Sequence, residues 1–101
     1  MGRDMKTVVI LTRRPGAATD GLARLHRAEL LAAWAGIAAG SVRAIHGLLE
    51  GGGAVLEMET STMDEVRSFV ESLPYVDEAL LDVRYCPLKP FVGFADLFAP
   101  A

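Results

Sequence analysis

The chain has 101 residues, 51% hydrophobic and 23% charged, with a formal net charge of −3 and one cysteine, Cys86. That size and composition fit a single folded globular domain over residues 1–101 and exclude a disordered chain. The acidic balance gives no support to nucleic-acid binding, a lone cysteine excludes an internal disulfide framework or a CxxC motif, and no apolar run nears the roughly 20 residues of a membrane span. The N-terminal "MGRDMKTVVIL" has too short an apolar part for a signal peptide, so the expectation is a soluble, cytoplasmic protein.

"KTVVILTR" (Lys6 to Arg13) is β-branched and apolar and reads as a buried strand. The breaker-rich "RPGAATD" follows it, and Asp20 is positioned to cap a helix that ends at Gly40. "SVRAIHGLL" (Ser41 to Leu49) is strand-like, "EGGG" (Glu50 to Gly53) signals a hairpin, and "AVLEMET" (Ala54 to Thr60) alternates as a second strand. Thr62 and Glu65 form a capping box that opens a second helix, with Met63, Val66, Val70 and Leu73 as its apolar stripe and Pro74 as its stop. "ALLDVRYCPL" (Ala79 to Leu88) is the last strand, and residues 89–101 form an aromatic tail. The tail packs either on its own subunit or on a partner. Cys86, before Pro87, reads as a buried small apolar side chain.

The order strand, helix, strand, strand, helix, strand predicts an α+β fold: a ferredoxin-like βαββαβ sandwich with a four-stranded antiparallel sheet and both helices on one face. The opposite face of such a sheet is left bare, which points to homodimerisation through it.

The candidate chemistry lies in "LHRAELLAAW" (Leu25 to Trp34). On a helical wheel, His26 and Glu29 share an arc with Leu22, Leu25, Ala33, Gly36 and Ile37, with Gly36 leaving room nearby. At i,i+3 spacing they are neighbours. A buried carboxylate needs a partner, and an imidazole beside it supplies one; the pair then suits proton transfer. The competing reading is a solvent-edge pair or a structural hydrogen bond.

Other candidates come from the strands. Arg43 and His46 are three apart and are expected on opposite faces, with His46 on the packed side beside Val42, Ala44 and Leu48. Arg43 then either anchors an anion or sits in the dimer seam. Met58 and Tyr85 fall on apolar strand faces, as core filling or pocket lining. Tyr75 is either a hydroxyl donor at a pocket mouth or an exposed turn aromatic, and Trp34 either packs or binds ligand. The "GGG" lies between strands and makes no phosphate loop. No metal-ligand spacing is present, although His26, His46 and Glu29 could meet in space.

Taken together, "HRAELLAAWAGIAAGSVRAIH", "ESLPYV" and "CPLKPFVGFADLF" make the chain resemble the muconolactone isomerase-like branch of the dimeric α/β-barrel superfamily, with YCII-related proteins as more distant relatives. The matching positions are Glu29, Gly40, Leu73–Pro74 and Pro87–Leu88. The long aromatic tail and "YVDEALLDV" depart from muconolactone isomerase itself. The resemblance implies a homodimer or larger oligomer, a cleft between sheet and helices, and proton transfer without a cofactor or metal on a small lactone, enone or polyketide-like substrate, as an isomerase or cyclase. In that reading His26 is the acid/base, Glu29 orients it or is itself the base, and His46, Tyr85 and Arg43 polarise a carbonyl. A cofactor-free monooxygenase acting on a polyphenol shares the fold. A non-catalytic oligomeric module that binds a small metabolite is the third reading.

Overall fold

The apolar alternation of β1 (Met5–Arg13) places Thr7, Val9 and Leu11 on one face and leaves Val8 and Ile10 on the other. In this computed structural model, which describes residues 3–100, β1 is a central strand. It pairs antiparallel with β3 (Gly53–Thr60) on one side and with β4 (Leu81–Pro87) on the other, and β2 (Val42–Gly47) closes the sheet in the order β2-β3-β1-β4. The helices α1 (Thr19–Ala39) and α2 (Met63–Ser72) cover the Val9 face, so the expected ferredoxin-like sandwich is the fold found.

The core lies between these layers. Val9, Leu11, Val42, Leu56 and Met58 from the sheet meet Val66, Val70 and Leu73 from α2 and its end. Met58 is 2% exposed and fills the core. The two buried polar side chains among the described residues are both satisfied: the Thr7 hydroxyl donates to the Met63 sulfur at 3.5 Å and the Thr60 hydroxyl to the Thr62 carbonyl at 2.9 Å.

Several local signals work as read and others shift. The Thr62–Glu65 capping box is complete: the Glu65 N–H donates to the Thr62 hydroxyl at 3.2 Å, and the Thr62 N–H donates to the Glu65 carboxylate at 3.1 Å. Gly40 ends α1 in the left-handed region at φ 86°, donating its N–H to the Ile37 carbonyl. Asp20 does not cap α1. The cap position is Ala18, and the Asp20 carboxylate accepts from the N–H of Gly21 inside the first turn. Pro74 stops α2 and also starts a one-turn helix, α3 (Pro74–Asp77), where its missing N–H costs nothing.

Gly36 behaves differently from the expectation that it leaves a void. A methyl at its Cα would stand 2.6 Å from the Phe69 ring and 2.7 Å from Val42 Cγ2. The glycine therefore lets α1 press directly onto α2 and β2, and the space is filled.

After β4, the chain makes one more sheet contact, from the Leu88 N–H to the Lys6 carbonyl at 2.9 Å, and then leaves the body. It ends in a 3-10 helix (Gly93–Phe98) whose side chains are exposed. The longest dimension is 61 Å against 31 and 19 Å for the others, and the radius of gyration is 16.3 Å. A closely folded chain of this length is expected near 13 Å. Of the two readings of the tail, packing on its own subunit is not what the structure has.

Candidate functional site

A cavity of about 350 Å³ lies between the Leu22–Ala33 stretch of α1 and the end of the sheet where β1 finishes and β3 begins. Leu11, Leu56 and Ile45 form its floor, Leu22, Leu30 and Ala33 of α1 its roof, and Phe69 and Leu73 its back. Its walls are almost entirely apolar, and its volume falls in the usual range for small-molecule sites. A cavity of roughly 150 Å³ suffices for benzene, so this one has room for a substituted single ring or two fused rings.

Two charged side chains reach its surface, Glu29 and Arg13. Glu29 comes from the packed stripe of α1, between Leu25 and Ala33. Its Oε1 accepts the backbone N–H of Tyr75 at 2.9 Å. That N–H belongs to the first turn of α3, which has no intrahelical partner for it, so the carboxylate caps α3 from another helix. Among the described residues Oε2 has no hydrogen-bond partner. Burial in the apolar wall pushes the Glu29 carboxyl above its ordinary value of 4.5, and the Tyr75 N–H opposes this without cancelling it. The result is a half-buried carboxyl, held in place by one oxygen and with the other available.

Tyr75 is the second polar group on the wall. Its hydroxyl donates to the Leu22 carbonyl at 2.9 Å, which ties α3 to α1. Burial raises the pKa of this phenol, and the charge of Glu29 raises it further. Tyr75 is thus a wall residue with its hydroxyl already engaged, not an exposed turn aromatic. Arg13 closes the β1 end of the cavity. Its Nη2 donates to Thr19 Oγ1 at 3.3 Å and to the Ala17 carbonyl at 3.5 Å, which braces the guanidinium.

The other expected site residues lie elsewhere. His26 is exposed and makes no pair with Glu29; among the described residues it has no hydrogen-bond partner. The packed stripe of α1 runs through Leu22, Leu25, Glu29, Ala32 and Gly36, and His26 stands at its solvent edge. His46 faces away from the helices, where its Nε2 lies 2.9 Å from Glu57 Oε2. The cause is a β-bulge between Val42 and Ala44. The extra residue shifts the alternation by one, so Ile45 rather than His46 reaches the cavity, and Arg43 joins His46 on the open face. There Arg43 lies 4.0 Å from Glu59.

Tyr85 packs against the core outside the cavity, with Arg67 over its ring at 6.0 Å; burial raises its hydroxyl pKa, Glu71 adds to this and Arg67 opposes it. Trp34 is 65% exposed and does not line the cavity. Cys86 is only partly buried. His26, His46 and Glu29 do not meet, and among the described residues no group of three His, Cys, Asp or Glu side chains is placed to hold a metal ion.

The site residue missed in the sequence is Arg13. The signal was present: it follows Thr7, Val9 and Leu11 at period 2, so the inward row of β1 ends on a cation.

No family model matches the chain, and no curated protein matches it by sequence. Among solved structures, it is similar to 5-chloro-2-hydroxyhydroquinone dehydrochlorinase from Burkholderia phenoliruptrix AC1100, determined in complex with 2,5-dihydroxybenzoquinone. The TM-score is 0.72 at 23% identity, over 86% of this chain and 96% of that one. The likeness is one of fold. No helix among the described residues is long and apolar enough to cross a membrane.

Proposed function

We propose that the chain is a cofactor-independent proton-transfer enzyme of the muconolactone isomerase-like kind, an isomerase or cyclase acting on a small unsaturated ring compound in the cavity beside Glu29. The observation that carries this is the Glu29 carboxyl itself. It is fixed by Tyr75 through one oxygen, raised in pKa by burial, and leaves Oε2 without a partner on an apolar wall. A raised carboxyl is a better base when ionised and recovers its proton closer to neutrality.

In this reading Glu29 Oε2 takes a proton from carbon next to a carbonyl or conjugated with it. The C–H electron pair moves into the ring to give an enolate and a neutral carboxylic acid. Glu29 then returns the proton at a different carbon, so nothing is consumed. Arg13, braced at the far end, stabilises the charge on the enolate oxygen. His26 serves no acid/base role from its exposed position. The bound 2,5-dihydroxybenzoquinone of the structural neighbour is a cyclic enone of the size this cavity admits.

The binding-only reading has one observation in its favour: capping α3 is a structural task that accounts for Glu29 without chemistry. Solvent-deuterium exchange separates the two. With a panel of unsaturated lactones and cyclic enones in D₂O, an enzyme exchanges ring protons and a binding module does not.

We further infer that two copies pair through the open sheet face. Val8, Ile10, Ala44 and Val55 form a half-buried apolar centre there, bordered by Lys6, Glu59, His46 and Glu57. A domain of this size gains stability from covering such a face.

A further inference from the structure

Apart from Leu49 in the loop between β2 and β3, the large exposed apolar side chains among the described residues fall into two separate groups. One is the C-terminal arm, residues 88–100, where Phe91 is 75% exposed, Phe94 67% and Phe98 85%. The other is the outer face of α1, with Leu30 56%, Leu31 57% and Trp34 65% exposed, continued at the β2 edge by Ile45. Leu30 and Ile45 also line the cavity, so this second patch borders its mouth on one side.

The arm and the patch do not meet within one chain. The arm leaves from β4, one edge of the sheet, next to Lys6 at the start of β1. The patch is at β2, the opposite edge, and the cavity is at the other end of β1. Pro90, two residues past the last bond to β1, has no N–H with which to extend the pairing. The arm is nevertheless ordered within itself. The Phe91 and Phe94 rings pack edge to face at 5.0 Å and 72°. Gly93 permits this fold, because a methyl there would stand 2.6 Å from the Phe91 ring. A structured, apolar arm that points away from its own body is built to be covered.

We propose that the arm of one copy lies on the α1 face of a second copy, over Leu30, Leu31 and Trp34, and closes the mouth of that copy's cavity. Two copies exchange arms, so each site is completed by its partner. With Gly93–Phe98 kept as a 3-10 helix at ~2 Å per residue and the other seven residues extended, the arm reaches at most about 35 Å, which exceeds the ~20 Å across a sheet and one packed layer. Three rings at these exposures put on the order of 400 Å² of apolar surface on each arm, and two arms with their two patches exceed the ~1,000 Å² that a specific interface needs. The inference concerns the cavity mouth and holds whether or not Glu29 is catalytic.

The test uses a photo-reactive benzoylphenylalanine in place of Phe94, with a second preparation carrying it at Phe91. Equal amounts of ¹⁴N and ¹⁵N protein are mixed, refolded together, irradiated and digested with trypsin. Cross-links from the arm to the peptide Ala28–Arg43 with hybrid isotope mass are the expected result, and the pair Leu31→Glu with Trp34→Glu should reduce their yield at least tenfold. Cross-links confined to single-isotope species place the arm on its own chain. Hybrid cross-links to other peptides place it elsewhere on the partner, and light scattering showing a monomer at 100 µM removes the partner. Each of these three overturns the proposal.

Discussion

The carboxylate of Glu29, on α1, accepts the backbone N–H of Tyr75 at 2.9 Å across 46 residues of sequence. One side chain thus holds the end of α2, the start of α3 and the wall of the cavity in a single relation. The bond favours the ionised carboxylate and burial disfavours it, and burial prevails. Folded-state Glu29 therefore binds its proton more tightly than the unfolded chain does. Between 4.5 and the higher folded-state pKa the folded protein carries more protons, so this group makes stability fall as pH rises through that window. Glu29→Gln keeps an acceptor for the Tyr75 N–H and removes the titration. Melting temperatures measured from pH 4 to 8 should fall less steeply in Glu29→Gln than in the parent, with the variant the more stable of the two at pH 8.

Gly36 sets the distance between α1 and the layer beneath it. Gly36→Ala requires the Phe69 ring or Val42 to move, and overpacking of this kind costs about 1–3 kcal/mol. Urea denaturation should show a lower midpoint with an unchanged slope. Because Phe69 also lines the cavity, the variant should weaken binding of a cyclic enone as well. A variant as stable as the parent would mean that α1 has freedom to lift, and that the close approach is not a constraint.

The capping box of α2 is a local device, exposed and outside the cavity lining. Thr62→Ala removes one half of it and should cost about 1 kcal/mol with no change in ligand affinity. Isothermal titration with an enone probe beside thermal melts checks both halves of that expectation.

His46 and Glu57 form an exposed pair on the open sheet face. An exposed pair contributes at most about 1 kcal/mol. In the monomer, His46→Ala should change stability by less than that and leave enone binding untouched. If the open faces pair as inferred, the same change should weaken the dimer, which sedimentation equilibrium reads directly.

The legible parts of the sequence were those in which one residue type does one local job. The Thr62 box, the stop at Pro74, the Gly40 terminus, the β-branched apolar run of β1 and the alternation of β3 each identified an element, and their order gave the sandwich. The site was read less well, for two physical reasons. A wheel gives the angle of a residue around a helix but not where the layer beneath the helix ends, so His26 falls within the arc and still stands in solvent. Strand alternation is exact only while the ladder is regular, and the bulge after Val42 exchanged His46 for Ile45 at the cavity. Glu29 was picked out by its apolar neighbours. Its actual partner, the N–H of Tyr75, lies on a turn of helix that no pattern in α1 could announce.

Proton transfer by Glu29 is tested most directly by the rate of solvent-deuterium uptake into an unsaturated lactone or cyclic enone, followed by proton NMR in D₂O. Uptake above the buffer rate is expected in the parent, with a loss of 10²–10⁴-fold in Glu29→Gln and parental rates in His26→Ala. Uptake in Glu29→Gln at the parental rate, or a ring compound bound in the cavity with no proton exchanged, would contradict it.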